Sequence, residues 1–278
     1  MKALIIGANG FLGRFILSAC LSRGWHVDAM YHRARNFIPT TCPALPITAL
    51  DSCQDDYDVC FLVAATIPYG SFDSPGRALV DANVKLVLAT GAKFPRTKIV
   101  FASSVSVYGA PVNPLTEQSP FNCPNLYGLS KLAGEFIVSQ QSRYAIIRFS
   151  SLYGLGMNRN TFVPAIIRQA RKTGVITLYG DGSRKQDYLH VADAAELALA
   201  AVLHEGSGVY LGVRGESVTN LEVAQAVQSC FPASRIVFTG IDTSPSFIYD
   251  NSLTMRALGC WPRHSLTAEI KELCANEP

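Results

Sequence analysis

Three glycines at fixed spacing, Gly7-x-x-Gly10-x-x-Gly13, follow directly on a short apolar run, Lys2–Ile6, and open a segment of helical periodicity, Phe11–Ser22. A chain that passes from strand to helix through glycine has few ways to fold. The glycines permit a tight turn and close backbone approach, and the helix N-terminus beyond them attracts a pyrophosphate. The plain alternative is an ordinary strand–helix turn. Three glycines in register after an N-terminal strand favour dinucleotide binding instead. Downstream, strand-like Trp25–Tyr31, Val59–Ala64, Lys98–Ala102 and Tyr144–Phe149 alternate with helical stretches at Pro75–Lys93 and Leu126–Gln141. That rhythm predicts an α/β fold, a doubly wound parallel sheet with helices on both faces. The third strand is poorly marked, because Pro46 interrupts Leu45–Ile47, and the crossover near Asp51–Asp56 is too short for a full helix.

After Ser150 the pattern loosens. A Gly/Asn-rich loop (Gly154–Asn160) leads to a helix at Phe162–Lys172 and a turn at Gly180-Asp181-Gly182. A helix at Val191–His204 follows, then a strand at Val209–Val213, a helix at Asn220–Cys230 and a strand at Arg235–Thr239. We expect a nucleotide-binding domain over 1–150, with 187–204 returning to it, and a smaller C-terminal substrate-binding lobe from 151–186 and 205–278.

At 278 residues with 49% hydrophobic and 16% charged, the chain is long and apolar enough for a large core. A net charge of +3 argues against nucleic acid or a membrane surface as partner. Arg168, Arg171 and Lys172 share a helical face, which reads as a solvated one. The eight cysteines form no Cys-x-x-Cys pair and no Cys/His cluster, so neither zinc nor a disulfide framework is expected. The apolar start is too short for a signal peptide, and no stretch is long enough to span a bilayer. These features predict a reduced, cytoplasmic protein.

Tyr127 and Lys131 carry the chemistry. Residues four apart share a helix face, and a neighbouring ammonium favours the ionised phenol. The pair therefore makes an acid/base that works near neutral pH. Ser103 and Ser104 close the strand Lys98–Ala102 at the carboxyl edge, where ligands bind in such sheets. A hydroxyl there can donate to a carbonyl oxygen held between it and Tyr127. The second strand ends Tyr31-His32-Arg33-Ala34-Arg35 with no carboxylate for a ribose; Arg33 or Arg35 suits the 2′-phosphate of NADP. Asp28 is the rival acid, which would favour NAD, although Ala29 and Met30 continue the strand beyond it. His190, just before a helix, is read as structural.

With these parts in place, the chain resembles the extended short-chain dehydrogenase/reductase family, the NAD(P)-dependent sugar-nucleotide epimerase/dehydratase/reductase group. The likeness rests on Gly-Ala-Asn-Gly-Phe-Leu-Gly (7–13), Ser-Ser-Val-Ser-Val-Tyr-Gly (103–109), Tyr-Gly-Leu-Ser-Lys (127–131), Arg-Phe-Ser-Ser-Leu-Tyr-Gly (148–154) and Tyr-Gly-Asp-Gly-Ser (179–183), with Leu-Gly-Cys-Trp-Pro (258–262) an approximate match. The resemblance implies a Rossmann-type sheet and homodimerisation through the helices at Pro75–Lys93 and Leu126–Gln141. It implies Ser104, Tyr127 and Lys131 as catalytic residues, and Ser104, Tyr127 and Ser151 as substrate contacts. The implied cofactor contacts are Gly7, Asn9, Gly10, Phe11, Leu12 and Gly13 in the loop, and Tyr31, His32, Arg33 and Arg35 at the second strand. Val63, Ala64 and Ala65 after the fourth strand, then Asn83, Ser103, Tyr127, Lys131, Phe149 and Ser151, complete the set.

Departures from the family pattern refine the expectation. Dehydratases of the family carry Asp-Glu where this chain has Val105-Ser106, so dehydration lacks its acid. Epimerases use an acid where Tyr31 stands. The diphosphate-gripping arginine expected before Asp187 is Gln186, with Arg184 or Lys185 nearby, and a second expected near Gly240 is missing. We therefore expect an NADPH-dependent reductase of a keto-sugar, a nucleotide-linked 4-keto-6-deoxyhexose, with NAD the other cofactor considered and no metal. The alternatives are a nucleotide-sugar 4-epimerase holding NAD and a non-catalytic NAD(P)-binding sensor.

Overall fold

Strands covered on both faces are apolar throughout, whereas half-exposed ones alternate. The strands of the first half are of the covered kind. A computed structural model describes residues 1–68, 76–112 and 114–277. The chain runs β1 (Lys2–Ile6), α1 (Phe11–Ser22), β2 (His26–Tyr31), β3 (Ala44–Pro46), β4 (Val59–Leu62), α2 (Gly76–Val80) and α3 (Leu86–Lys93). Next come β5 (Lys98–Ser104), α4 (Leu126–Val138), β6 (Tyr144–Phe149), β7 (Ser151–Tyr153), α5 (Phe162–Thr173) and β8 (Val175–Tyr179). The last part holds β9 (Lys185–Gln186), β10 (Tyr188–His190), α6 (Val191–Leu203), β11 (Gly208–Gly212), β12 (Val218–Thr219), α7 (Asn220–Cys230), β13 (Arg235–Thr239), α8 (Ser252–Leu258) and α9 (Leu266–Asn276).

Seven strands form one parallel sheet in the order β11-β6-β5-β4-β1-β2-β3. Alternation divides each strand between two cores. Ala3, Ile5, Val27, Ala29, Phe61 and Val100 face one side, where α1 and α6 pack against each other. Leu4, Ile6, Met30, Leu62, Ile99 and Phe101 face the other, with Val87 of α3 and Val138 of α4. A π-helical turn, Asp81–Lys85, joins α2 to α3. The helix expected over Pro75–Lys93 is thus present from Gly76, Pro75 lying outside the described residues. Pro46 ends β3 at the sheet's edge, the place where a missing donor is tolerated. A 3-10 turn, Ile47–Ser52, replaces a crossover helix.

One expectation is corrected. The residues after 204 do not all belong to the lobe: β11 pairs with β6 as the sheet's seventh strand. The lobe core gathers Val163 and Ile167 of α5, Ile176 of β8, Val223 and Val227 of α7 and Ile270 of α9. In it β8 and β13 pair in parallel. A capping box, Thr219 with Glu222, starts α7. Among the described residues no helix is long and apolar enough to cross a membrane.

Candidate active site

The carboxyl ends of β1, β4, β5 and β6 meet where the strand order reverses. Gly7 adopts φ +100°, and its N–H and that of Ala8 both donate to the Met30 carbonyl at 3.0 Å. A Cβ on Gly7 would stand 2.6 Å from the Ala64 backbone nitrogen, so only glycine lets the loop lie against the end of β4. There the N–H groups of Val63 and Ala64 converge on the Ile6 carbonyl at 3.0 and 2.8 Å. Gly10 caps α1 without a side chain in front of the first helical N–H groups. That end is shaped and polarised for a pyrophosphate, so the residues present fit a dinucleotide.

Within β2, three residues before its end, the Asp28 carboxylate accepts from the Tyr57 hydroxyl at 2.6 Å and is held in the sheet. Tyr31 is half-buried against the α1 side of the core, while His32, Arg33 and Arg35 are exposed. The following loop turns back: the Phe37 N–H donates to Asn9 Oδ1 at 2.9 Å. Arg14 lies 5.0 Å over the Phe37 ring and donates to the Leu155 carbonyl at 2.5 Å. Sequence reading missed Arg14, whose partners Phe37 and Leu155 are distant in the chain.

Ser104 ends β5, its Oγ accepting from the Ser106 N–H at 3.2 Å and lying 3.1 Å from Ser106 Oγ. Asn125 caps α4, Oδ1 accepting from the Gly128 N–H at 2.9 Å. A Cβ on Gly128 would fall 2.2 Å from the Ser106 carbonyl oxygen. Glycine after Tyr127 therefore lets the first turn of α4 press against the Ser104–Ser106 turn. This contact brings Tyr127, half-buried, to the serine's edge of the sheet. Lys131, one turn on, is 2% exposed. Its Nζ donates to the Ala102 carbonyl at 2.7 Å and lies 4.8 Å over the Phe101 ring. Burial pushes its pKa down from 10.5 to about 7, with Glu135 pulling the other way.

Several expected contacts face away from the cleft. Ser103 points inward, its Oγ donating to Glu135 Oε1 at 2.5 Å. The Phe149 ring belongs to the core beneath the sheet. Asn83 is 0% exposed, accepting from the Thr66 N–H at 2.9 Å and donating to the Thr66 carbonyl and to Ser130 Oγ at 3.1 and 3.0 Å. Ser130 in turn donates to the Tyr127 carbonyl at 2.7 Å. Asn83 thus braces the loop after β4 against the helix that carries Tyr127. Ser151 is exposed at the start of β7.

On the lobe side, the carboxyl ends of β8 and β13 border a groove of about 430 Å³ whose lining includes Gly180, Asp181, Arg184, Ile241 and Asp242. Gln186 is occupied with Asn220, donating to its Oδ1 at 2.8 Å. His190 accepts from the Ala192 N–H at 3.3 Å and stacks 4.2 Å from the His264 ring. Burial, then His264, depresses its pKa. It caps α6.

Comparison with known proteins agrees with this geometry. The family model of the NAD dependent epimerase/dehydratase family matches residues 3–211. The UDP-N-acetyl-alpha-D-glucosaminuronate decarboxylase of Bacillus cytotoxicus is 26% identical over 269 residues, covering 85% of this chain and 82% of the relative. The dTDP-4-dehydro-6-deoxy-D-allose reductase of a Streptomyces species is 27% identical over 263 residues, covering 81% and 80%. In fold, the chain is similar to the UDP-glucuronic acid 4-epimerase of Bacillus cereus solved with UDP-glucuronic acid and NAD. The TM-score is 0.87 at 20% identity, over 100% of this chain and 99% of that one.

Proposed function

Because this chain belongs to the NAD dependent epimerase/dehydratase family, enzymes of the extended short-chain dehydrogenase/reductase type, we propose that it reduces a nucleotide-linked 4-keto-6-deoxyhexose with NADPH. The observation that turns the family chemistry toward reduction lies at the end of β2. No carboxylate stands there: Asp28 lies mid-strand and is engaged by Tyr57, and Arg33 and Arg35 are exposed where a 2′-phosphate would lie. Gly7, Gly10 and Gly13 would hold the pyrophosphate, and Val63, Ala64 and Ala65 would flank the dinucleotide after β4. When bound, the cofactor supplies a hydride to the carbonyl carbon.

The protein's part is placement and proton transfer. Ser104 would donate to the substrate oxygen, and Tyr127 would protonate it as charge develops. Lys131 in its ammonium form would favour the phenolate that remains and hold the nicotinamide ribose. Val105 and Ser106, next to Ser104, offer no acid to expel water, which disfavours dehydration. The lobe groove would take the nucleotide end, with Arg184 as its basic residue. Exposed Val80, Leu88, Leu129 and Phe136 line the outer faces of α2, α3 and α4, which suits a homodimer; a monomer in sedimentation analysis would rule that out.

The test is a screen of keto-sugar nucleotides with NADPH and NADH, products identified by mass and NMR. One NADPH consumed per product is expected, and Tyr127→Phe should lower turnover by about a hundredfold or more while nucleotide still binds. Turnover without net cofactor consumption would establish the epimerase instead. Biological function intact in Tyr127→Phe would point to a sensor.

A further inference from the structure

Behind the candidate site lies a buried polar network that the proposed chemistry does not use. Glu135 and Arg148 are 5% and 4% exposed. Arg148 donates from Nη2 and Nε to the Glu135 carboxylate at 2.7 and 3.0 Å, and Ser103 Oγ donates to it at 2.5 Å. From Nη1, Arg148 donates to the Tyr108 hydroxyl at 2.9 Å and the Glu117 carbonyl at 3.0 Å. A buried ion pair is weak evidence for stability, since desolvation offsets most of its attraction.

Its position suggests a different use. Glu135 follows Lys131 by one turn of α4, so the two share a face. Ser103 precedes Ser104, and alternation along β5 sends the first inward and the second to the cleft. Glu135 therefore touches the strand end that presents Ser104 and faces the ammonium beside Tyr127. We propose that Glu135, clamped by Arg148, is a positioning residue for the reaction inferred above, holding Lys131 as an ammonium and Ser104 in register.

The groups around Lys131 are consistent with this. On its own helix they are Tyr127 and Glu135. Strand β5 contributes the Ala102 carbonyl, the Phe101 ring and Ser103, and β6 contributes Arg148. The 3-10 turn Val105–Tyr108 adds Tyr108. The nearby charges of the π-helical turn, Asp81 and Lys85, pair with each other at 2.7 Å on the surface. Glu135 is the group that opposes the effect of burial on Lys131.

The inference rests on the proposed reading of the site, but its test does not need turnover. In nucleotide-free protein carrying 13C-lysine, the Cε signal lost in Lys131→Met reports the titration of Lys131. Glu135→Gln should lower that midpoint by about one pH unit. Glu135→Gln with Arg148→Met, which leaves no lone buried guanidinium, should lower it by less. Where turnover is found, Glu135→Gln should lower kcat about tenfold at pH 8 with KM unchanged, and recover toward pH 6. A midpoint unmoved in folded variants overturns the proposal, whatever the enzyme's substrate. A moved midpoint without nucleotide binding would remove the proposed function and leave the electrostatic link standing.

Discussion

Lys131→Met should stabilise the ligand-free fold at pH 6 and lose that advantage by pH 9. In the folded chain the ammonium is buried and its pKa is lowered from 10.5 to about 7. Between those values the unfolded chain holds one more proton than the folded one, so stability rises with pH across that window. Below it both states are protonated and the whole penalty remains. At about 1.4 kcal/mol per pKa unit, the penalty at pH 6 is about 5 kcal/mol. Methionine removes it and leaves the Ala102 carbonyl without its 2.7 Å donor, a loss of about 1–3 kcal/mol. At pH 9 about 2 kcal/mol of the penalty is still present, so the variant should be more stable than wild type at pH 6 by about 3 kcal/mol and about equal to it at pH 9. Urea unfolding of nucleotide-free protein, followed by far-UV circular dichroism, reads both values. A difference that stays constant from pH 6 to pH 9 would refute the claim that burial without full compensation sets the charge of Lys131.

Other perturbations probe separate parts. Gly13→Ala puts a Cβ 2.1 Å from the Gly7 carbonyl oxygen, so nucleotide affinity measured by fluorescence should fall about a hundredfold; wild-type affinity would show that the loop has room to move. Arg33→Ser with Arg35→Ser should weaken NADPH binding by about tenfold or more and leave NADH unchanged, and equal losses for both would remove the case for NADPH. Lys98 donates from a 1%-exposed ammonium to the carbonyls of Val202, His204 and Gly206 at the C-terminal end of α6. Lys98→Met should lower stability by about 3 kcal/mol, seen as a lower urea midpoint, and an unchanged midpoint would mean water serves those carbonyls as well.

The limits of β1, α1, β6, α7 and β13 are readable in the sequence because apolar periodicity, glycine and capping signals are local. Pairing is not local. Val209–Val213 has the composition of a strand, but only the fold brings β11 beside β6, across α5, α6 and the strands between them. The run Val175–Tyr179 carries a strand signal of the same kind, and α9 shows its period in Leu266, Ile270 and Leu273. The site was legible to the same degree. Glycine loop, strand end and helix pair each announce themselves, and the structure gathers them at one edge. Direction of the side chain was not legible: of two adjacent serines at a strand end only one can face the cleft, and Ser103, expected to touch the cofactor, turns inward to Glu135. Asn83 and Phe149 likewise lie on elements close to the site, and their side chains turn inward. Arg14's hold on Phe37 and Leu155, and the pairing of Glu135 on α4 with Arg148 on β6, were invisible because each joins separate elements.

Two buried lysines contrast a structural cation with one proposed to serve a ligand. Each belongs to or packs on β5, each is almost without solvent, and in each burial depresses the pKa. An ammonium has three donors. Lys98 directs its donors to three carbonyls at and just beyond the end of α6, so its valence is filled by the fold. Among the described residues, Lys131 donates to Ala102 alone, and an aromatic ring lies beneath it. Donors that a fold buries and does not use cost stability unless something else employs them. Hydroxyls of a ribose laid across the sheet's edge are groups of the right kind. On this reasoning the unused donors of Lys131 support the proposal that it holds a ligand, with Glu135 tuning its environment and the energetic cost of its burial belonging to that role.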